Sequence, residues 1–307
     1  MAKSLPLLVT TDLQQDSASI RRTRAVNQYA VSLGKRLNTK LEVLHVANLG
    51  EIAQIPQAAS AILSTQKSQL KNLVNPFQDV SRARFIVGHP AAAISKLASQ
   101  KKKYELIVQG TSGRTGLSRA FLGSVAEEVI RHSKTPVMTV GPEAQKHGRH
   151  AELLSGDTPL ILVATDLEKT SVPALHYALG LAKRLGGRVH AVYHLQTGLH
   201  PLIQTAMATP SSSRELQELV RSLERDAEKT LKKAAAKFRK AGVEFSSSVL
   251  EKGPTAPEPL IAEAKRSGAS LIVMGTHARG LLLGSFLGST CRGVVLGAPV
   301  PVITVRR

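Results

Sequence analysis

The chain of 307 residues has one cysteine, Cys291, and no tryptophan; four tyrosines and six phenylalanines are its only aromatics. A lone thiol excludes an intrachain disulfide and any Cys-based metal knuckle, which fits a reducing compartment. With aromatics at 3%, platforms for stacking nucleic-acid bases are scarce. Long apolar runs are missing too. None approaches the ~18 residues of a membrane span, and the run from Leu5 to Thr10 is too short for a secretion signal. A soluble, cytoplasmic protein is the expectation. Acidic residues are the last shortage: 22 Asp and Glu face 41 Lys and Arg, a net charge of +19. The surplus is shared, 19 basic to 8 acidic before residue 141 and 20 to 11 from residue 159 onward. It raises the local concentration of any polyanion, whether nucleotide, DNA or anionic membrane. Because no nucleic-acid motif accompanies it, Lys101-Lys-Lys103 and Arg21-Arg-x-Arg24 read as solvated faces and nucleic acid is not the expected partner. The ten histidines show no ligand spacing. His45, His194 and His277 are expected in packing or turns rather than on a metal.

What the chain does have is a long internal repeat. Leu106-Ile-Val-Gln-Gly-Thr-Ser-Gly-Arg-Thr-Gly with Phe121-Leu-Gly-Ser124 returns as Leu271-Ile-Val-Met-Gly-Thr-His-Ala-Arg-Gly with Phe286-Leu-Gly-Ser289. The offset is 165 residues and also relates Gly88 to Gly253 and Pro136 to Pro301. Leu7-Leu-Val-Thr-Thr-Asp12 matches Ile161-Leu-Val-Ala-Thr-Asp166 at 154, and Lys35-Arg-Leu matches Lys183-Arg-Leu at 148. The halves therefore differ by inserted loop length. Each is about the commonest size of a single domain, and at 42% hydrophobic the chain is globular. The expected division is a first domain over 1–141, a linker over 142–158 of Gly, Pro, polar and His composition, and a second domain over 159–307 with an insert at 196–240. The later part of that insert, Ser213 to Ala241, has the i, i+4 charge spacing of a solvated helix.

Short continuous runs of Val, Ile and Leu at 7–9, 41–46, 84–87, 106–108 and 137–140 alternate with helix-like stretches such as Arg24 to Leu37, Ala91 to Gln100 and Ser124 to His132. Strands apolar on both faces imply a parallel sheet covered by helices, so each half reads as an α/β sandwich of five strands. Ligands of such sheets bind beyond the carboxyl ends of the strands, where the strand order reverses. The closing strands, Thr135 to Val140 and Val300 to Val305, invite edge pairing, so the halves are expected to pack as a pseudo-twofold pair.

Glycines after a strand let backbone N–H groups approach a phosphate, and a helix start adds free N–H groups and a positive dipole end. Gly110-x2-Gly113-x9-Gly123-Ser124 supplies both. Ser124-x-x-Glu127 is also a capping box, which would make Ser124 only an N-cap. In the second copy Ser289 stays while Arg292 replaces Glu127, and this favours the phosphate role. Neither a P-loop nor a dinucleotide Gly-x-Gly-x-x-Gly occurs.

With Thr-Asp closing the first strand and Gly88-His-Pro90 or Gly253-Pro254 after the third, both halves resemble universal stress protein domains, and the chain resembles a tandem universal stress protein over nearly its full length. The resemblance implies ATP as ligand, with or without Mg, and a role in stress response as a nucleotide-dependent sensor or binding module. On it, Asp12 and Asp166, with Val46 and Leu195 at the second-strand ends, lie near adenosine, while the glycines meet ribose and phosphates. The residues it marks are Thr10, Asp12, Val46, Gln109, Gly110, Gly113, Arg114, Gly123, Ser124 and Val125 in the first half. In the second they are Ala164, Asp166, Leu195, Met274, Gly275, Ala278, Gly288, Ser289 and Thr290.

There are departures from the pattern. Ala278 stands at the second glycine, where positive φ would cost about 1 to 2 kcal/mol and weaken binding roughly tenfold; the first half reads as the tighter site. Gln109 stands where Met274 keeps an apolar residue. With one acid per half and no base beside it, the sequence holds no acid–base pair and no nucleophile elbow, so no catalytic residue is expected and turnover should be little or none. A slow ATPase and a basic interaction protein with a vestigial site remain the alternatives. Association of two chains into a homodimer is left open.

Overall fold

Among the described residues ten short strands carry the fold; the inner ones are apolar on both faces, while the outer two, at 80–87 and 245–250, leave one face partly in water. The computed structural model describes residues 4–100, 103–111, 122–146, 158–167, 171–195, 214–250, 257–276 and 287–306. The first half runs β1 (Leu7–Thr11), α1 (Ser17–Arg36), β2 (Leu41–Ala47), α2 (Pro56–Val74), β3 (Val80–Val87), α3 (Pro90–Ala98), β4 (Leu106–Gly110), α4 (Ser124–His132) and β5 (Val137–Val140). After α5 (Pro142–Lys146), the second half runs β6 (Leu160–Thr165), α6 (Val172–Leu185), β7 (Arg188–His194), α7 (Arg214–Lys240), β8 (Phe245–Leu250), α8 (Pro257–Arg266), β9 (Leu271–Gly275), α9 (Ser289–Gly297) and β10 (Val302–Val305).

The strands form one sheet in the order β3-β2-β1-β4-β5-β10-β9-β6-β7-β8. All pairs within each half are parallel. At the centre β5 and β10 pair antiparallel, Ile303 opposite Met138. The two closing strands thus complete each other's edges, as the sequence led us to expect, and a pseudo-twofold axis passes between them. Alternate residues face opposite layers: Leu7, Val9, Leu106 and Ile161 pack under α1 and α6, while Leu8, Ile107, Leu162 and Ile272 pack under α4, α8 and α9. Both layers run unbroken across the central pair.

α7 takes the place in the second half that α2 takes in the first, between the second and third strands, and is longer by eight residues. It buries Val220, Ala227, Leu231 and Phe238 and turns its charges outward. α5 lies where the composition reads as linker, and its Ala144 is fully buried.

The six residues by which the repeat offset drops, from 154 to 148, reappear as helix. α1 has 20 residues and α6 has 14, and the added turns stand at the start of α1 over the carboxyl ends of β1 and β4. Asp16 caps this extension by accepting from the N–H groups of Ala18 and Ser19.

Candidate functional site

β1, β2 and β4 end on one side of the sheet, and between β1 and β4 the strand order turns back on itself. A cavity of about 650 Å3 opens there. Its lining brings together Thr10, Asp12, Val46, Gln109, Gly110, Gly123, Ser124 and Val125, eight residues that the sequence marks in the first half. Gly113 and Arg114 lie outside the described residues.

Gly123 is the N-cap of α4, with φ −60° and ψ 143°, and Gly288 caps α9 with φ −57° and ψ 141°. Any residue adopts these angles, so the backbone itself does not demand glycine there. The missing side chain leaves the mouth of the helix open. The first in-helix bond of α4 runs from the Glu127 N–H to the Gly123 carbonyl at 2.9 Å, which leaves the N–H groups of Ser124, Val125 and Ala126 without a helical acceptor beside the cavity. The capping box is not formed: Ser124 is the first residue of the helix, and no side chain caps it. Glu127 instead reaches across the pseudo-twofold axis to Arg292, its counterpart at offset 165. That contact needs both halves to be assembled, which is why a local motif misreads it.

Gly110 also has a packing reason to lack a side chain. A Cβ at this position would lie 2.7 and 2.8 Å from Cγ and Cδ of Arg22 and 3.2 Å from Val26. The stem of Arg22 lies flat over this glycine, so side-chain packing from α1 accounts for it. Arg22 is 7% exposed and lines the cavity. Its Nη2 donates to Asp12 Oδ2 and, at 2.7 Å, to Ser19 Oγ. The sequence reading assigned Arg22 to a solvated face; the six-residue change of offset was the signal that could have placed it.

Gln109 is 2% exposed beneath α4, where its Nε2 donates to the Ala126 carbonyl at 3.1 Å and to Thr139 Oγ1 at 3.3 Å. A polar residue replaces the apolar one here because it ties α4 to the sheet. His45 packs with Nδ1 2.9 Å from the Thr11 carbonyl. The residue after each acid, Leu13 and Leu167, has φ of 55° and 61°. A left-handed leucine costs about 1 to 2 kcal/mol, and its recurrence in both halves marks a turn held by its surroundings. In each copy the leucine N–H donates to the threonine at the strand end, Thr11 at 3.4 Å and Thr165 at 3.0 Å. Nothing in the leucine itself signals this turn.

In the second half Ala164 and Asp166 stand at the end of β6, Leu195 follows β7, and Met274 and Gly275 end β9. Gly288, Ser289 and Thr290 open α9. The two halves thus repeat one arrangement; Ala278 lies outside the described residues. Among those residues no helix is long and apolar enough to cross a membrane.

A model of the universal stress protein family matches residues 7–141 and again 160–306. A universal stress protein of Methanocaldococcus jannaschii is 30% identical over 122 residues, 37% of this chain and 71% of that protein. One from Mycobacterium tuberculosis is 28% identical over 207 residues, 66% of this chain but only 62% of its own length. The solved structure of a universal stress protein from Archaeoglobus fulgidus shares the fold, with a TM-score of 0.63 at 21% identity, covering 99% of this chain and 97% of that one. The chain belongs to the universal stress protein family and carries two of its domains in tandem.

Proposed function

We propose that the first half binds an adenine nucleotide, ATP with or without Mg, and that the protein works in stress response as a nucleotide-dependent sensor or binding module. One observation carries this reading: the described residues of the glycine motif, Gly110, Gly123 and Ser124, line one cavity with the strand end Thr11-Asp12 at the turn of the strand order. Its volume of about 650 Å3 is within the usual range for small-molecule sites. Adenosine lies toward Val46 and Asp12, and the phosphates meet the open start of α4 at Gly123 and Ser124.

Turnover is little or none in this reading. Asp12 is the one carboxylate among the described lining residues, and Arg22 holds it, so no carboxylate is free to draw a proton from water. The second half offers a weaker copy. A cytoplasmic location and a homodimer of two chains accord with the same reading.

Mass spectrometry of small molecules released from freshly purified protein tests it. An adenine nucleotide should be released, and phosphate production under excess ATP should stay at the rate without protein. Sustained phosphate release would make the protein an ATPase. Empty protein that binds DNA with a steep salt dependence would make it a basic interaction protein.

A further inference from the structure

The added turns of α1 place a guanidinium in the cavity. Arg22 sits on the six residues that α6 lacks, so the second half has no counterpart helix position for it. A guanidinium carries five N–H donors in a fixed fork. Asp12 and Ser19 hold Nη2, while Nε and Nη1 make no hydrogen bond to any described residue. The side chain is 8% exposed and lines the cavity. A nearly buried cation is therefore held by a carboxylate and a hydroxyl in the wall of the cavity. Every two-bond edge of the fork includes an Nη2 hydrogen, so what remains for a phosphate is a single charge-assisted bond from Nη1 or from Nε.

A second group that receives anions stands at the start of α4. The two are carried by different elements, and on the proposed reading Asp12, which Arg22 holds, belongs to the adenosine end and α4 to the phosphate end. Resting on the reading that this cavity holds an adenine nucleotide, we infer that Arg22 selects among such nucleotides: it receives a phosphate on the 2′ or 3′ oxygen of the ribose while α4 receives the 5′ phosphate. The preferred ligand class of the first half is an adenosine phosphorylated on both sides of its ribose. Asp12 keeps its role, since Oδ2 holds Arg22 and Oδ1 receives only a long 3.4 Å bond from the Gln14 N–H.

Isothermal calorimetry on the full chain with 5′-ADP, adenosine 2′,5′-bisphosphate and adenosine 3′,5′-bisphosphate tests this, because the three carry the same number of phosphates. One bisphosphate should bind about tenfold more tightly than 5′-ADP, and which one does identifies the oxygen. In Arg22→Met, which keeps the stem over Gly110, the ratio should fall to about one; Arg22→Lys, which keeps the charge without the fork, should lie between. A circular dichroism melt of each variant establishes that it folds. Equal binding of all three ligands by the unaltered chain overturns the inference and leaves nucleotide binding intact, as does a ratio that survives in folded Arg22→Met. Should Arg22→Met not fold, a ratio that stays at its unaltered value in Arg22→Lys overturns it equally. If no nucleotide binds, the underlying reading falls and takes this inference with it.

Discussion

Arg36 and Arg184 hold the same position in the two halves, and each donates to the end of the other's helix. Arg36 reaches the Leu185 carbonyl through Nε at 3.0 Å and Nη2 at 2.7 Å; Arg184 reaches the Leu37 carbonyl at 3.2 Å. A guanidinium at a helix carboxyl end also meets the negative end of its dipole. The exchange is what a twofold axis between identical subunits would give, here within one chain. On the opposite face of the sheet the symmetry is broken to advantage, since position 127 is acidic and its equivalent, 292, is basic.

Glu127→Arg should therefore lower the unfolding free energy by about 1 kcal/mol, because the pair is partly exposed and screened. The double exchange Glu127→Arg with Arg292→Glu should recover most of it. Urea midpoints of the three proteins check this, and a double variant as unstable as the single one would show that the pair contributes nothing across the axis.

Ser124→Ala separates stability from binding. Since Ser124 makes no capping bond, its loss should change the unfolding free energy without ligand by no more than about 0.5 kcal/mol and leave the melting temperature nearly unmoved. The rise in melting temperature on adding ATP should shrink. A clear drop without ligand would restore the capping role.

Gly110→Ala places a methyl group against the Arg22 stem, with Cγ and Cδ at 2.7 and 2.8 Å. It should destabilise by about 1 to 3 kcal/mol as overpacking. Adding Arg22→Ala should relieve most of that strain, so denaturant midpoints of the single and double variants measure how far Arg22 is its cause.

His190 reports on acid. It is buried between β7, β8 and α8, with Ser246 Oγ 2.8 Å from Nδ1 and both Ser248 Oγ and Glu263 Oε1 3.1 Å from Nε2. Arg266 faces the same Glu263. Burial lowers its pKa below the usual value, against the pull of Glu263 in the other direction. An imidazole with a depressed folded pKa binds its proton more readily in the unfolded chain. Stability should thus fall as pH drops below about 6.5 and level off beneath the folded pKa. His190→Gln should remove that part of the profile, as urea midpoints between about pH 7.5 and about pH 5 would show; a parallel fall in the variant would assign the effect elsewhere.

The repeat, the alternation of strand and helix in each half and the central edge pairing were legible because they rest on apolar runs and on glycine and proline at fixed offsets. That eight marked residues of the first half would come to line one cavity was legible for the same reason, since they stand at strand ends and at a helix start. Three features were not. The Glu127–Arg292 pair exists only once the halves meet, and the local Ser124-x-x-Glu127 spacing carries no sign of it. The left-handed turns at Leu13 and Leu167 are imposed on a residue type that does not favour them. Arg22 sits in a run of arginines that resembles a solvated face, and only the helix extension aims it inward.

The central claim is that the cavity beside α4 is a nucleotide site. Calorimetric titration of ATP into the unaltered chain and into Gly123→Val, with matched melting curves, tests it most directly. Because Gly123 has backbone angles open to any residue, valine should leave the fold intact while filling the phosphate position. The predicted result is one binding site fewer, with a melting temperature without ligand close to the original. Unchanged affinity and unchanged stoichiometry in a folded Gly123→Val would contradict the account.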